Sequence, residues 1–214
     1  MQWNPEILSK FVAPGISEFT AAEIPDLREQ FPEAPHWVVN HFLNSALGVS
    51  FKNEWRQVVL GFIRRTHNAF SAYHLARERT RKYLAGNQPD NPKAGQYWDA
   101  VSAWEDFALQ VSMALDLFMW INQGKGAFVK NDGSRDQRLY EIANLVKHTA
   151  SAVKSGQCSS QDTVPLWLGN SGILSFGMQV TYVEASMVLA DLAKLADEFQ
   201  EPASLGKASP SGGC

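Results

Sequence analysis

The sequence predicts an all-α protein: a helical bundle of about four long helices, with short N-terminal helices and a small β-hairpin-like insertion before the last helix. Three observations carry this. Apolar residues recur at helical spacing over long stretches beginning near residues 51, 96, 134 and 181. Two of these stretches open with a capping box, Ser134 with Gln137 and Thr181 with Glu184. Five prolines (Pro5, Pro14, Pro25, Pro32 and Pro35) cut the first 49 residues into pieces too short for the main bundle. The expected organisation is a short-helix wrap over 1–49, a bundle over 50–200 and a disordered tail over 201–214.

Bulk composition sets the bounds on function. A chain of 214 residues is long enough to bury a core, and 45% hydrophobic with 19% charged residues is ordinary globular usage. A net charge of −3 gives no global attraction to nucleic acid or an anionic membrane, so any such binding needs a local patch. Cys158 and Cys214 make no disulfide framework, and without CxxC or clustered histidines no metal or cofactor is expected. There is no cationic start with a following apolar run and no apolar run of spanning length, so the expectation is a cytoplasmic protein without membrane contact.

Taken in order, the N-terminal pieces read as helices over about 5–12, 25–31 and 35–47. His36 and His41 are five apart on the third and share no face, which suits packing or capping better than ligation. A long helix follows over about 51–85, with Trp55, Val58, Val59, Phe62, Ile63, Phe70 and Tyr73 as its buried stripe. Arg64, Arg65, Arg79 and Lys82 fall on its solvent side, whereas His74, Arg77 and Arg81 follow the edge of the stripe. An arginine there is paired with a carboxylate or lines a pocket, because a lone buried charge is costly. Glu105, Asp106 and Asp116 are the candidate partners.

Residues 87–95 form a loop, and the helix over about 96–122 is apolar on more than one side, as the centre of a bundle or a subunit interface would be. It lacks the E-x-x-H of di-iron bundles. The glycines of 124–133 make a turn and have neither phosphate-loop nor dinucleotide spacing. After a polar loop over 155–162, Val164–Leu168 and Ile173–Phe176 flank Gly169–Gly172 as a hairpin, with Pro165 confining its strand to an edge. The last helix carries Val188, Leu192, Leu195 and Phe199 on one face.

The helix opened by Ser134 holds the candidate site. Leu139, Ile142, Val146, Ala150 and Val153, with Ala143 beside them, form its apolar stripe, and Tyr140, Asn144, Lys147, His148 and Ser151 fall on the other face. Asn144 and His148 are one turn apart. This face reads as free of carboxylates and joins an imidazole, an amide, an ammonium and a phenol, a set suited to phosphate or a nucleic-acid backbone; the alternative is a solvated polar face.

Ala143-Asn144-Leu145-Val146-Lys147-His148, after Arg138-Leu139-Tyr140, resembles the end-of-helix motif of HEPN-type helical proteins, and more nearly that of divergent bacterial members with N-x-x-K-H. Residues 163–172 and 181–184 are similar to the tail of such proteins, and the resemblance spans roughly residues 50 to 200. It implies a metal-independent RNase of a toxin or defence system, dimeric across this helix around an RNA strand. His148 would be the general acid or base, Asn144 would orient the phosphate, and Lys147 with an arginine would stabilise developing charge. Tyr140 and Arg138 would contact substrate. The sequence departs from the family at Ala143, which stands where the catalytic arginine is expected, leaving Arg77 or Arg81 to supply that cation. The competing expectation is a non-catalytic module that uses the same Asn144–His148 face for dimerisation or to bind a nucleotide or a protein.

Overall fold

The structure, a computed structural model, describes residues 4–46, 53–86, 92–158 and 164–200. The expected disordered tail, Cys214, residues 87–91 of the first expected loop and 159–162 of the second lie outside the described residues. Seven α-helices and a three-stranded antiparallel sheet are present among the described residues. None of these helices is long and apolar enough to cross a membrane.

The trunk is a hairpin of two long helices, α3 (Asn53–Gly86) and α4 (Ala94–Ile121). They run antiparallel, as the ring pairs Tyr83–Tyr97, Tyr73–Phe107 and Phe62–Phe118 show by their opposed numbering. A buried polar tip in this seam finds its partner: the Trp104 indole N–H donates to Thr80 Oγ1 at 3.0 Å. Apolar residues on several faces of α4 are explained by its central place, since α3 lies along one part of it and α5 (Arg135–Lys147) along another. The last helix, α7 (Tyr182–Gln200), closes the core through Phe62–Phe199 and Trp104–Tyr182.

The N-terminal segment lies against this trunk. Helix α1 (Pro5–Phe11) is capped by the Asn4 side chain, which accepts from the Glu6 N–H. A three-ten turn over Ala34–His36 leads into α2 (Trp37–Ala46), whose His41 is buried with Nδ1 3.1 Å from the Phe199 carbonyl. The helix expected over 25–31 does not form. Asp26 explains this: its carboxylate accepts from the Arg28 N–H at 3.2 Å, which holds the backbone in a turn.

The single hairpin expected before the last helix is a three-stranded meander: β1 (Trp167–Gly169), β2 (Gly172–Ser175) and β3 (Met178–Thr181). Asn170 and Ser171 alone turn between β1 and β2, and Gly177, at φ 72°, makes the second turn. The Asn170 side chain accepts from the Thr20 and Ala21 N–H groups and donates to the Glu18 carbonyl, so the first turn also pins the N-terminal segment. The close approach of the strands favours glycine at 172, where a Cβ would lie 2.2 Å from the Val180 carbonyl oxygen across the β2–β3 pair.

Candidate functional site

Helix α5 starts as the capping signal required, with one difference in wiring. Ser134 Oγ accepts from the Gln137 N–H at 3.3 Å, but Gln137 Oε1 reaches past Ser134 to the Gly133 N–H at 2.6 Å. Asp132 takes the Ser134 N–H instead, at 2.8 Å. At the other end the expected continuous helix breaks. His148 sits at φ −119°, ψ 31°, and a second helix, α6 (Thr149–Lys154), begins after it. The Thr149 hydroxyl donates to the carbonyls of Leu145 and Val146 at 3.0 and 2.9 Å, satisfying groups that a continuing helix would have used. The break changes the helical phase. Leu139, Ile142 and Ala143 are buried as the stripe predicts, but Ala150 and Val153 face solvent and Ala152 turns inward.

Asn144 and His148 open into one cleft of about 790 Å³, shared with Glu141, Ser151, Ser155, Gln157 and, from the meander, Phe176 and Met178. A second cleft of about 450 Å³ adjoins it along α5 and is lined by Tyr140, Asp116, Phe128 and Lys130, with Glu141 and Asn144 common to both. The expectation of a face free of carboxylates is corrected here. Glu141 stands between the clefts, held by a 2.8 Å hydrogen bond from Gln137 Nε2. Its spacing, three before Asn144 and seven before His148, puts it on their stripe, so the sequence held the signal.

The other expected substrate-binding groups have different employment. The Tyr140 hydroxyl donates to Asp116 Oδ1 at 2.8 Å, and burial, with that carboxylate's support, raises its pKa above the ordinary phenol value. Arg138 turns to α7, where its Nη2 lies 2.5 Å from Glu184 Oε1. Burial pushes the Glu184 carboxyl upward, but hydrogen bonds from Thr181 and the Arg138 charge outweigh it and leave the pKa below its usual value. Thr181 and Glu184 bond reciprocally as a capping box, Thr181 N–H to Oε2 at 2.9 Å and Glu184 N–H to Oγ1 at 3.1 Å. Arg138 is therefore a tie between α5 and α7.

The cation expected from α3 is not at the cleft. Arg77 pairs with Asp26 at 3.1 Å and donates from Nε to the Ile24 carbonyl at 2.9 Å, so its partner comes from the N-terminal segment and not from Glu105, Asp106 or Asp116. Arg81 is exposed on α3 and lines neither cleft. Lys147 is exposed beside His148 and also lines neither. Ala143 is 1% exposed, part of the core under α5, and its side chain is directed away from the polar face.

The arrangement brings together Asn144, His148 and Ser151 as expected, adds Glu141, and separates Arg138, Arg77 and Arg81 from them. Phe176, Met178, Ser155 and Gln157 were not legible as site residues, because they reach the cleft only through the break at His148 and the third strand. Among the described residues no group of three or more His, Cys, Asp or Glu side chains is placed to hold a metal ion. Cys158 is buried just beyond α6, its N–H donating to the Ala152 carbonyl. No family model, no curated protein and no solved structure matches this chain.

Proposed function

We propose that the chain is a non-catalytic binding module whose recognition site is the cleft at the α5–α6 break. One observation carries this reading: among the described residues, the cleft that holds Asn144 and His148 is lined by a carboxylate, Glu141, and by no lysine or arginine. Cleavage at a phosphodiester develops negative charge that needs a fixed cation beside the general acid or base. The residue where the resemblance expects that cation, Ala143, is in the core, and Arg138 and Arg77 are each committed to a carboxylate. What remains is a set of polar side chains (Asn144, Ser151, Ser155, Gln157 and His148) beside Phe176 and Met178, with Glu141 as the fixed charge, which suits recognition of an uncharged or cationic polar ligand.

Metal-independent RNA cleavage is the second reading, favoured by the opening of Asn144 and His148 into the same cleft. In that reading His148 acts as general acid or base, Asn144 orients the phosphate, and a second copy of the chain brings the cation to a homodimer. The two readings separate in one assay. A mixed RNA substrate is incubated without added metal with the purified protein and with His148→Ala, the variant's fold being checked by its thermal melt. The binding module leaves the RNA intact. Cleavage by the wild type that His148→Ala abolishes overturns it.

A further inference from the structure

What the site receives can be read from its length and its charge. The two clefts share Glu141 and Asn144 and follow one another along the polar face of α5 and on past α6, a trough with that pair at its middle. From Gln137 to the break at His148 the trough follows roughly 16 Å of α5, at about 1.5 Å per residue, and the larger cleft carries it on along α6. That stretch of α5 alone matches about five residues of extended chain, at about 3.3 Å each. A small molecule would leave most of it empty.

The walls alternate in a way that suits a polypeptide. Phe128 packs against Tyr140 at one end, ring centroids 5.3 Å apart, and Phe176 with Met178 gives an apolar surface at the other. Between them the Asn144 amide offers a donor and an acceptor, the pair a main-chain amide needs. One wall includes Met178, which opens β3, the end strand of the meander; β3 packs on α5, and its second edge has no strand partner among the described residues. Edge strands accept an added strand through main-chain hydrogen bonds.

Charge selects among polymers. Among the described residues the trough is lined by two carboxylates, Asp116 and Glu141, against one lysine, Lys130, and Glu141 stands at the middle where the two clefts meet. A nucleic-acid strand would bring a phosphate to every nucleotide of that length. A peptide with a basic side chain at its centre would meet Glu141 instead.

We propose that the trough binds an extended peptide segment bearing a lysine or arginine that sits over Glu141. The proposal deepens the binding-module reading and rests on it. The test is selection of a displayed random heptapeptide library on the full chain, using wild type, Glu141→Lys and Glu29→Lys, the last a charge reversal at an exposed position in the N-terminal segment. Wild type and Glu29→Lys should enrich sequences with Lys or Arg at one register. Glu141→Lys should bind those sequences about tenfold or more weakly and enrich Asp or Glu at the same register. Asn144→Ala, which keeps the charge, should weaken the selected peptides without changing their central residue. No convergent sequence on wild type, or the same sequences on Glu141→Lys, overturns the proposal. Salt-sensitive binding of a mixed RNA oligonucleotide lost in Asn144→Ala, without peptide selection, overturns the peptide and leaves the module; RNA cleavage dependent on His148 overturns both.

Discussion

Replacing Ala143 by arginine puts the residue the HEPN resemblance expects where this chain lacks it, and the structure sets the cost. Ala143 is 1% exposed and belongs to the core cluster with Leu139 and Ile142. A guanidinium there would sit in an apolar core cluster, away from the trough that Glu141 and Asp116 line. An unpaired buried charge costs on the order of 3–5 kcal/mol, and crowding a packed core costs about 1–3 kcal/mol. The two overlap, because an arginine that shifts the backbone to reach water relieves part of both. A loss of about 3–5 kcal/mol is expected, a large share of a typical domain's stability. Urea unfolding followed by tryptophan fluorescence measures it, with Ala150→Arg as the exposed control on α6, expected within about 0.5 kcal/mol of wild type. An Ala143→Arg protein as stable as wild type would refute the inward placement of residue 143. If it also cleaved RNA, the reading of the cleft as non-catalytic would fall with it.

Other consequences are equally specific. Burial holds the His74 imidazole down to about 4, with both ring nitrogens lacking a hydrogen-bond partner, while Asp26 acts the other way and Arg28 and Arg77 add to the depression. The unfolded chain protonates this histidine near pH 6.5 and the folded one only near 4, so stability falls as the pH drops through that window, by about 3 kcal/mol at about 1.4 kcal/mol per pH unit. His74→Leu should flatten the dependence of the unfolding midpoint between pH 6.5 and 4; an unchanged slope would show that other groups carry it. Gly172→Ala should cost about 1–3 kcal/mol, because its Cβ would meet the backbone of β3, whereas Gly95→Ala, with open space around it, should leave the melt unchanged or raise it slightly. Thr181→Ala removes the N-cap of α7 and should cost about 1 kcal/mol by thermal melt, with Glu184→Ala costing more because Arg138 also loses its partner.

The parts legible in the sequence are those governed by neighbours along the chain. The stripes of α3 and α4 and the caps at Ser134 and Thr181 depend on spacings of three and four residues, which the sequence displays directly. The break at His148 depends on whether the Thr149 hydroxyl takes the carbonyls behind it, a local competition that no periodicity reveals. Spacing along the chain points to the next helix for a partner of Arg77, but Asp26 lies 51 residues earlier, brought there by the wrapping of the N-terminal segment. Strand β3 is short, runs directly into the capping box of α7, and pairs with β2 through a glycine that the hairpin reading had assigned to a turn. Glu141 is the instructive case, since its place on the Asn144–His148 stripe follows from spacing alone.

The chain's five histidines offer the most direct measurement of where a ligand sits. His148 lines the α5–α6 cleft, His41 lies beside the exposed Val39 and Phe42 of α2, His67 has Nδ1 3.0 Å from the Ala34 carbonyl, His74 faces Asp26, and His36 ends the three-ten turn. Protein labelled with ¹⁵N-histidine would be titrated, by two-dimensional NMR of the ring nitrogens, with a pool of lysine-centred heptapeptides and then with a mixed RNA oligonucleotide. The expected result is a saturable shift of the His148 ring with the peptides, little change at the other four, and no shift with RNA. A silent His148 while His41 moves would place recognition on the apolar face of α2 and contradict the assignment of the cleft.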